Sequence, residues 1–313
     1  MRKTAEARAQ NIKTRMPQII TDMHCDTLTS HSAFQGHIRL SEMTAQSFQC
    51  FAAFTEDENA AAYAAAKNLF YTTFSNEKFA PVSSFSEFVA AQQAGKIVCA
   101  LTCENIGFTA GNYADVCSLK ADGVIMASLV WNRENALAYP NVRADGLRES
   151  RGLKELGRKA VEALDSKGII VDISHLSDGG AEQILKNRKI PLAASHSCCD
   201  GVHSDPRNLA DCQLKAIADC GGAVGVNFYK KFLGGQGGYK QIAAHVKHII
   251  DIAGEDTPAF GSDWDGVPEG GISVYPRNMP QLLQFLADEG ISSRVLDKIA
   301  YKNFFRVFKE VCG

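Results

Sequence analysis

The sequence predicts an α/β protein built as a single-domain (β/α)8 barrel. Eight apolar segments alternate with segments of helical periodicity along the 313 residues, and this alternation is typical of a barrel of parallel strands. Residues 169–196 hold two of these apolar segments around one helix, and the segments end in His175 and His196. Strands joined by a helix run parallel, so both histidines are expected at one edge of the sheet. A doubly wound open sheet is the alternative fold.

The composition is that of an ordinary globular chain, and its charge balance argues against nucleic acid and anionic membranes as partners. Hydrophobic residues make up 45% and charged residues 22% of the sequence, and the formal net charge is −2. Without a basic field, the chain is not expected to bind nucleic acid or an anionic membrane. No apolar run reaches the length of a transmembrane helix, and residues 1–17 predict a polar arm without a signal peptide. We therefore predict one domain over residues 1–313.

The ten cysteines are scattered along the chain, and no CxxC pair occurs among them. This pattern is typical of reduced thiols rather than of a small secreted framework. A cytoplasmic location is the simplest interpretation.

In the first half of the chain, continuous apolar runs predict four strands, at 18–24, 47–55, 96–104 and 123–131. Runs of this kind indicate strands that are buried on both faces. Helical spacing predicts helices at 58–75, 84–94 and 112–121. The first of these helices carries an aromatic stripe, which we interpret as core packing.

In the second half, the strands are predicted at 169–175, 191–196, 222–229 and 257–263. Helices are predicted at 151–167, between the two histidine strands, and at 211–220 and 240–253, and two or three more follow over 278–311. Gly168 follows the helix at 151–167 as a plausible C-cap. The segments 136–150 and 197–210 are predicted loops, and the second is a candidate substrate-binding loop because it is polar and follows His196. His245 and His248 lie away from strand ends and are interpreted as structural.

Five strand ends carry residues that suit metal chemistry, and a barrel brings such ends to one mouth. These residues are His24, Asp26, Glu104, His175, His196 and Asp263. His24 and Asp26 alternate in an extended backbone and can therefore share an ion, whereas Cys25 should point to the opposite face. Imidazole and carboxylate ligands around one central carboxylate suit two Zn²⁺ ions bridged by Glu104. The alternative is a set of core histidines bonded to backbone carbonyls.

Eight short motifs extend this pattern over nearly the whole chain. They are Asp22-Met-His-Cys-Asp26, Glu104-Asn-Ile-Gly, Val171-Asp-Ile-Ser-His175, Ser195-His-Ser, Arg207-Asn208, Gly221-Gly-Ala-Val-Gly-Val-Asn-Phe-Tyr229, Gly261-Ser-Asp-Trp-Asp-Gly266 and Asn303-Phe-Phe-Arg-Val-Phe. With these motifs in this order, the chain resembles the membrane (renal) dipeptidase family of zinc peptidases, within the amidohydrolase superfamily. The resemblance implies that His24, Asp26 and Glu104 hold one zinc ion, and that Glu104, His175 and His196 hold the other.

The resemblance also implies roles in substrate binding. Arg207 would bind the terminal carboxylate of the substrate. Asn208, Trp131 and Tyr229 are the other expected substrate-binding residues. The mammalian members have a histidine that contacts the substrate where this chain has Trp131. A second departure follows the bridging glutamate, where the family often has Gly-Gly and this chain has Asn105-Ile106.

The expected activity is that of a dipeptidase, in which a metal-bridged hydroxide attacks the amide carbon. Asp263 would carry the proton to the leaving amine, with Asp265 as the rival carboxylate. The alternatives are a deaminase or another amide or lactone hydrolase, and a non-catalytic metal-binding scaffold. The expected partner is a small dipeptide substrate. A homodimer is possible, because the sequence does not determine the oligomeric state.

Overall fold

Eight parallel strands form the barrel that the sequence predicts. The computed structural model describes residues 16–28, 40–44, 47–56 and 58–313. The described residues form nine strands. They are β1 (Ile20–Asp22), β2 (Ser47–Phe54), β3 (Phe79–Pro81), β4 (Ile97–Glu104), β5 (Val124–Ser128), β6 (Ile170–Asp172), β7 (Ala193–Ala194), β8 (Ala223–Val226) and β9 (Pro258–Phe260). All of these but β3 belong to the barrel. All pairs are parallel, in the order β1-β2-β4-β5-β6-β7-β8-β9. Met23 N donates to Phe260 O over 2.9 Å, and this bond brings the last strand back to the first.

The helices follow the strands along the chain. They are α1 (Ala60–Phe74), α2 (Phe85–Gln93), α3 (Tyr113–Ala121), α4 (Glu155–Lys167), α5 (Asp178–Leu185), α6 (Asp211–Asp219), α7 (Lys230–Leu233), α8 (Tyr239–Ala253), α9 (Met279–Asp288), α10 (Ser293–Asp297) and α11 (Asn303–Cys312). A π-helical turn, Lys298–Lys302, leads into α11. Ser84, Asn112 and Ser177 cap α2, α3 and α5 by accepting backbone N–H bonds through their side chains, as N-cap residues do.

The strands of the second half end earlier than the sequence predicts. Strand β6 stops at Asp172, although the apolar run continues toward His175. The carboxylate of Asp172 accepts the backbone N–H groups of Ser174 and Ser195, each over 2.9 Å, so side-chain bonds replace the ladder there. The segment β3 was not predicted as a strand, and it pairs with the first residues of β4 outside the barrel path.

Helix α11 packs across the amino ends of the barrel strands and contacts β6, β8 and β9. Its Phe304 and Phe308 rings lie 5.8 Å from the ring of Phe48 on β2. Arg306 donates to the carbonyl of Gly221, just before β8, and Asn303 donates to Pro258 O over 2.8 Å. The amphipathic C-terminal helix therefore fills the end of the barrel opposite the carboxyl ends of its strands.

The predicted arm at 1–17 falls mostly on residues 1–15, which lie outside the described residues. The arm and the single domain over 1–313 therefore stay predictions. Within the described part of the chain, no helix combines the length and apolarity needed to cross a membrane.

Phe308→Ala should remove a fully buried ring from the packing between α11 and the barrel. We expect it to lower the free energy of unfolding by about 3–5 kcal/mol, the usual loss for a buried phenylalanine. Urea denaturation of the variant against the parent protein measures the difference. Glu310→Ala, at an exposed position of the same helix, is the control. Equal stability of the two variants would contradict the packing role of α11.

Candidate metal centre

Glu104, the last residue of β4, lies between two groups of candidate ligands. Its Oε1 is 3.0 Å from His175 Nε2 and 3.6 Å from His196 Nε2. Its Oε2 is 3.7 Å from His24 Nε2, and that nitrogen is 3.3 Å from Asp26 Oδ2. The ligand atoms of each group lie within 4.8 Å of one another. One carboxylate thus directs one oxygen to each group, as a bridging ligand does.

The two imidazoles of the second group present lone pairs to the same point. His175 Nδ1 lies 2.9 Å from Asn132 Oδ1, so it carries the proton. His196 Nδ1 lies 2.7 Å from Ser195 Oγ, which donates its own proton to Asp172 and therefore accepts from the imidazole. The two Nε2 atoms are 2.9 Å apart, and burial holds the pKa of both histidines well below the ordinary value. Facing lone pairs on neutral imidazoles are typical of metal ligands.

Two buried aspartates brace the strand ends behind the ligands. Asp172 ties β6 to Ser195 at the end of β7 through both the backbone N–H and the hydroxyl. Asp22 ties β1 to Ser262, whose N–H and hydroxyl donate over 2.7 and 2.5 Å. The residue after each serine is a candidate site residue. Asp22 and Asp172 both lie within the motifs described above. The sequence alone does not distinguish an aspartate that supports a strand end from one that binds a metal ion.

The site concentrates negative charge in a buried volume. The Asp26, Glu104 and Asp263 carboxylates surround His24, and although burial opposes it, they raise the pKa of that imidazole to about 10. Burial, followed by repulsion from Asp26, raises the pKa of Glu104 well above its ordinary value. Among the described residues, His24 Nε2 and Asp26 Oδ1 are buried without a hydrogen-bond partner. Buried carboxylates with orphaned ligand atoms fit a bound divalent cation, which would pair their charge.

Three backbone features shape the site. His175 and Asp263 adopt left-handed conformations, with φ of 67° and 61°, which few residues other than glycine and asparagine take up. A Cβ on Gly266 would lie 2.1 Å from Asp26 Oδ2 and 2.4 Å from Asp263 Oδ1. The wall at Gly266 can therefore carry no side chain, because these two carboxylates take up the space.

Asp263 lies beside the first group of ligands, and its position differs from that of Asp265. It forms a close cluster with His24 and His196 and lines the central cavity, and Asp265 is not among the lining residues. Asn227 Nδ2 donates to Asp263 Oδ2 over 2.8 Å. Burial raises the pKa of Asp263 to about 7, against the opposing effect of His24. Sequence reasoning missed Asn227, although it lies within the Gly221–Tyr229 motif.

A cavity of about 920 Å³ opens above the ligands. Its floor includes Asp26, Glu104, His175 and Asp263, and Trp131, Arg207 and Tyr229 line its walls. The Arg207 side chain is buried beside the ring of Phe232, 5.3 Å from the ring centre. Its guanidinium has a weak bond to the carbonyl of His196, at 3.4 Å, and no ion pair with a described carboxylate. A buried, unpaired guanidinium in a cavity wall is suited to an anionic group of a ligand.

Asn208 is not among the residues that line the cavity. Its amide donates to the carbonyls of His203, over 2.7 Å, and Phe232, over 2.9 Å. These bonds brace the loop, and the expected contact of Asn208 with the substrate stays a prediction. The two neighbouring side chains therefore differ in their contacts. Arg207 lines the cavity, whereas the Asn208 amide bonds to backbone carbonyls of the surrounding loops.

Arg148 holds the loop that carries Arg207. Its Nη2 donates to the carbonyls of Asp205, over 3.1 Å, and Asn208, over 2.9 Å, and pairs with Asp200 at 2.7 Å. The segment around Arg148, predicted only as a loop, forms a hairpin-like wall in which Val142 pairs with Arg148. At its base, Asn141 N donates to His175 O over 2.7 Å. One segment thus contacts both a candidate ligand and the arginine loop.

The remaining histidines that were interpreted as structural lie away from the centre. The buried His245 accepts the backbone N–H of Cys199 at Nδ1 and lies 3.2 Å from Leu233 O through Nε2. His248 pairs with Asp211 at 2.7 Å. Cys25 lies in the core and donates to Cys50 O, so its thiol points away from the ligands as expected.

The comparisons with known proteins agree with this geometry. A model of the family described as membrane dipeptidase (peptidase family M19) matches residues 6–312. An uncharacterized protein of Klebsiella pneumoniae is 31% identical over 220 residues, which cover 66% of this chain and 80% of that protein. An uncharacterized dipeptidase of Schizosaccharomyces pombe is 34% identical over 196 residues, 60% of this chain and 46% of its own length. The chain thus spans about half the length of that relative.

Solved structures share the fold at low identity. A metallopeptidase described as dipeptidase AC superposes with a TM-score of 0.83 at 22% identity, over 94% of this chain and 99% of that one. A metallopeptidase of Rhodobacter sphaeroides, liganded with a phosphinate mimic of the dipeptide L-Ala-D-Ala, superposes with a TM-score of 0.80 at 21% identity. The match covers 95% of this chain and 100% of that one. At this identity the two structures support the barrel.

Asp172→Asn should weaken metal binding although Asp172 is not a candidate ligand. The amide would present a donor where Ser195 needs an acceptor, and the proton position on His196 would be lost. We expect about 10- to 100-fold weaker Zn²⁺ affinity, the usual effect of removing such a supporting group. Isothermal titration of metal-stripped protein measures it. Asp145→Asn, at the exposed tip of the hairpin-like wall, is the control. Unchanged affinity in Asp172→Asn would refute the bracing role.

Proposed function

The chain belongs to the membrane dipeptidase family, peptidase family M19, and from that premise we propose how its site hydrolyses a dipeptide. Membership makes the chain a metal-dependent dipeptidase. The observation that carries the proposal is the division of the Glu104 oxygens between two ligand groups. The alternatives, a deaminase, another amide or lactone hydrolase, or a non-catalytic scaffold, are not favoured by the family.

We propose that two Zn²⁺ ions bind in each chain. His24, Asp26 and Glu104 would hold one ion, and Glu104, His175 and His196 the other. The nitrogen and oxygen ligands suit zinc. When bound, such ions would make water acidic enough to form hydroxide at neutral pH and would polarise the scissile carbonyl.

Asp263 is the proposed proton carrier. Its carboxylate lies on the cavity floor beside His24 and His196, where it could accept a proton from the attacking water and release it to the substrate. Asn227 bonds one oxygen, Oδ2, and thereby fixes the direction of the other. Asp263 would take a proton from the attacking water and pass it to the leaving amine.

Arg207 is the proposed binding group for the free carboxylate of the dipeptide. Its buried guanidinium has no ion-pair partner among the described residues, and Phe232 packs beside it. Trp131 and Tyr229 line the cavity and would contact the side chains of the substrate. The dipeptide mimic bound by the Rhodobacter sphaeroides metallopeptidase supports a dipeptide as the substrate here. A homodimer and a cytoplasmic location stay predictions of the sequence.

Metal content tests the binuclear centre. Purified protein should carry close to two divalent ions per chain by elemental analysis. A chelator should abolish dipeptide hydrolysis, and added Zn²⁺ should restore it, because the ligands supply no alternative catalyst for amide attack. Fully active protein with one ion per chain would contradict a bridging Glu104.

Asp263→Asn should lower kcat by about 10²–10⁴, the usual size of a general acid–base contribution. The amide keeps the shape of the side chain but cannot accept the proton, so KM and metal content should change less. Steady-state kinetics with elemental analysis gives both quantities. Asp265→Asn is the matched comparison. A larger loss in Asp265→Asn than in Asp263→Asn would reverse the assignment.

Arg207→Ala should raise KM for free dipeptides by about 10- to 100-fold, as expected from the loss of a hydrogen-bonded ion pair. Dipeptides with an amidated C-terminus have no carboxylate to lose, so their KM should change far less. Arg143→Ala, at the cavity rim and already paired with Asp145, controls for the loss of a cation. Equal damage to free and amidated substrates would exclude this role.

A further inference from the structure

Most charged side chains on the outer walls of the cavity pair with one another. Arg143 pairs with Asp145 at 2.7 Å, and Arg151 pairs with Glu149 at 2.6 Å and with Glu134 at 3.7 Å. These residues all line the cavity. Their charges are therefore largely compensated within the protein, and they leave little net attraction for a charged ligand.

Two cations of the cavity wall differ from the rest. Arg207 and Lys231 both line the cavity, and neither forms an ion pair with a carboxylate in the described part of the chain. Arg207 is assigned above to the terminal carboxylate of the substrate. Lys231 is exposed, and its ammonium group has no hydrogen-bond partner among the described residues.

The two cations lie near one aromatic ring of the cavity lining, that of Phe232. The guanidinium carbon of Arg207 is 5.3 Å and Lys231 Nζ is 5.8 Å from the centre of the Phe232 ring. The neighbouring Lys230 is different, since it donates to Gly270 O over 2.8 Å and does not line the cavity. Of the two lysines, only Lys231 can therefore meet a ligand that binds Arg207 and extends along the Phe232 ring.

We propose that Lys231 recognises a side-chain carboxylate on the C-terminal residue of the substrate. The preferred substrates are then dipeptides that end in an acidic residue, with the main-chain carboxylate on Arg207 and the side-chain carboxylate on Lys231. This inference rests on the proposed function, because Arg207 sets which end of the dipeptide lies beside Phe232. The C-terminal residue is favoured over the N-terminal one for the same reason.

The test compares Ala-Glu with Ala-Gln, which have nearly the same shape and differ by one charge, with the C-terminal residue in either configuration. The parent protein should prefer Ala-Glu in kcat/KM by about three- to five-fold, the upper range for an exposed ion pair. Added salt should reduce this preference, since exposed charges are screened. Lys231→Met should bring the ratio close to one, and Lys231→Glu should reverse it.

Lys230→Met is the matched control, because it removes the adjacent lysine, and it should keep the preference of the parent protein. A preference that is absent in the parent protein, or that survives in Lys231→Glu, overturns the inference while dipeptide hydrolysis itself remains. Failure of the metal-loaded protein to hydrolyse any dipeptide would instead overturn the proposed function. Thermal unfolding of each variant separates a folding defect from a change in specificity.

Discussion

The structure depends on one constraint, the burial of the Glu104 carboxylate among other ligands at the end of a barrel strand. A buried carboxylate beside further carboxylates is unfavourable unless positive charge compensates it. His24, whose Nε2 is 3.7 Å from Glu104, and then Arg207 on the cavity wall lower the pKa of Glu104, but burial and the neighbouring carboxylates outweigh them. Cations bound in the two ligand groups would compensate the remaining negative charge. The braces from Asp22 and Asp172 hold the strand ends that carry these groups.

Much of the fold and the ligand cluster could be predicted from the sequence. A strand that is buried on both faces must be a continuous apolar run, so the eight barrel strands were visible as such runs. A histidine or glutamate that ends such a run has no packing role, so Glu104, His175 and His196 are recognisable in the sequence as candidate site residues. The structure brings these together with His24, Asp26 and Asp263. The roles of Arg207 and Asp263 came from the family resemblance.

The rest depended on contacts between distant segments. The end of β6 is set by bonds between Asp172 and two serines, which residue type and spacing do not reveal. The bonds from the Asn208 amide to two carbonyls of the surrounding loops are not visible in the sequence either. The hairpin-like wall around Arg148 appeared as a loop, because its pairing is short and its role comes from the loop that it holds. Such features follow from tertiary packing rather than from local sequence.

The left-handed conformations of His175 and Asp263 have an evolutionary consequence. Each holds a non-glycine residue in a backbone state that costs on the order of 1 kcal/mol or more, and both side chains are buried. Glycine at either position would relieve the strain without needing a new fold. Selection for stability alone would therefore erode these two positions first, as expected where activity and stability are in conflict. Descendants of this chain that had lost activity should be recognisable by small residues at these two positions on an otherwise intact barrel.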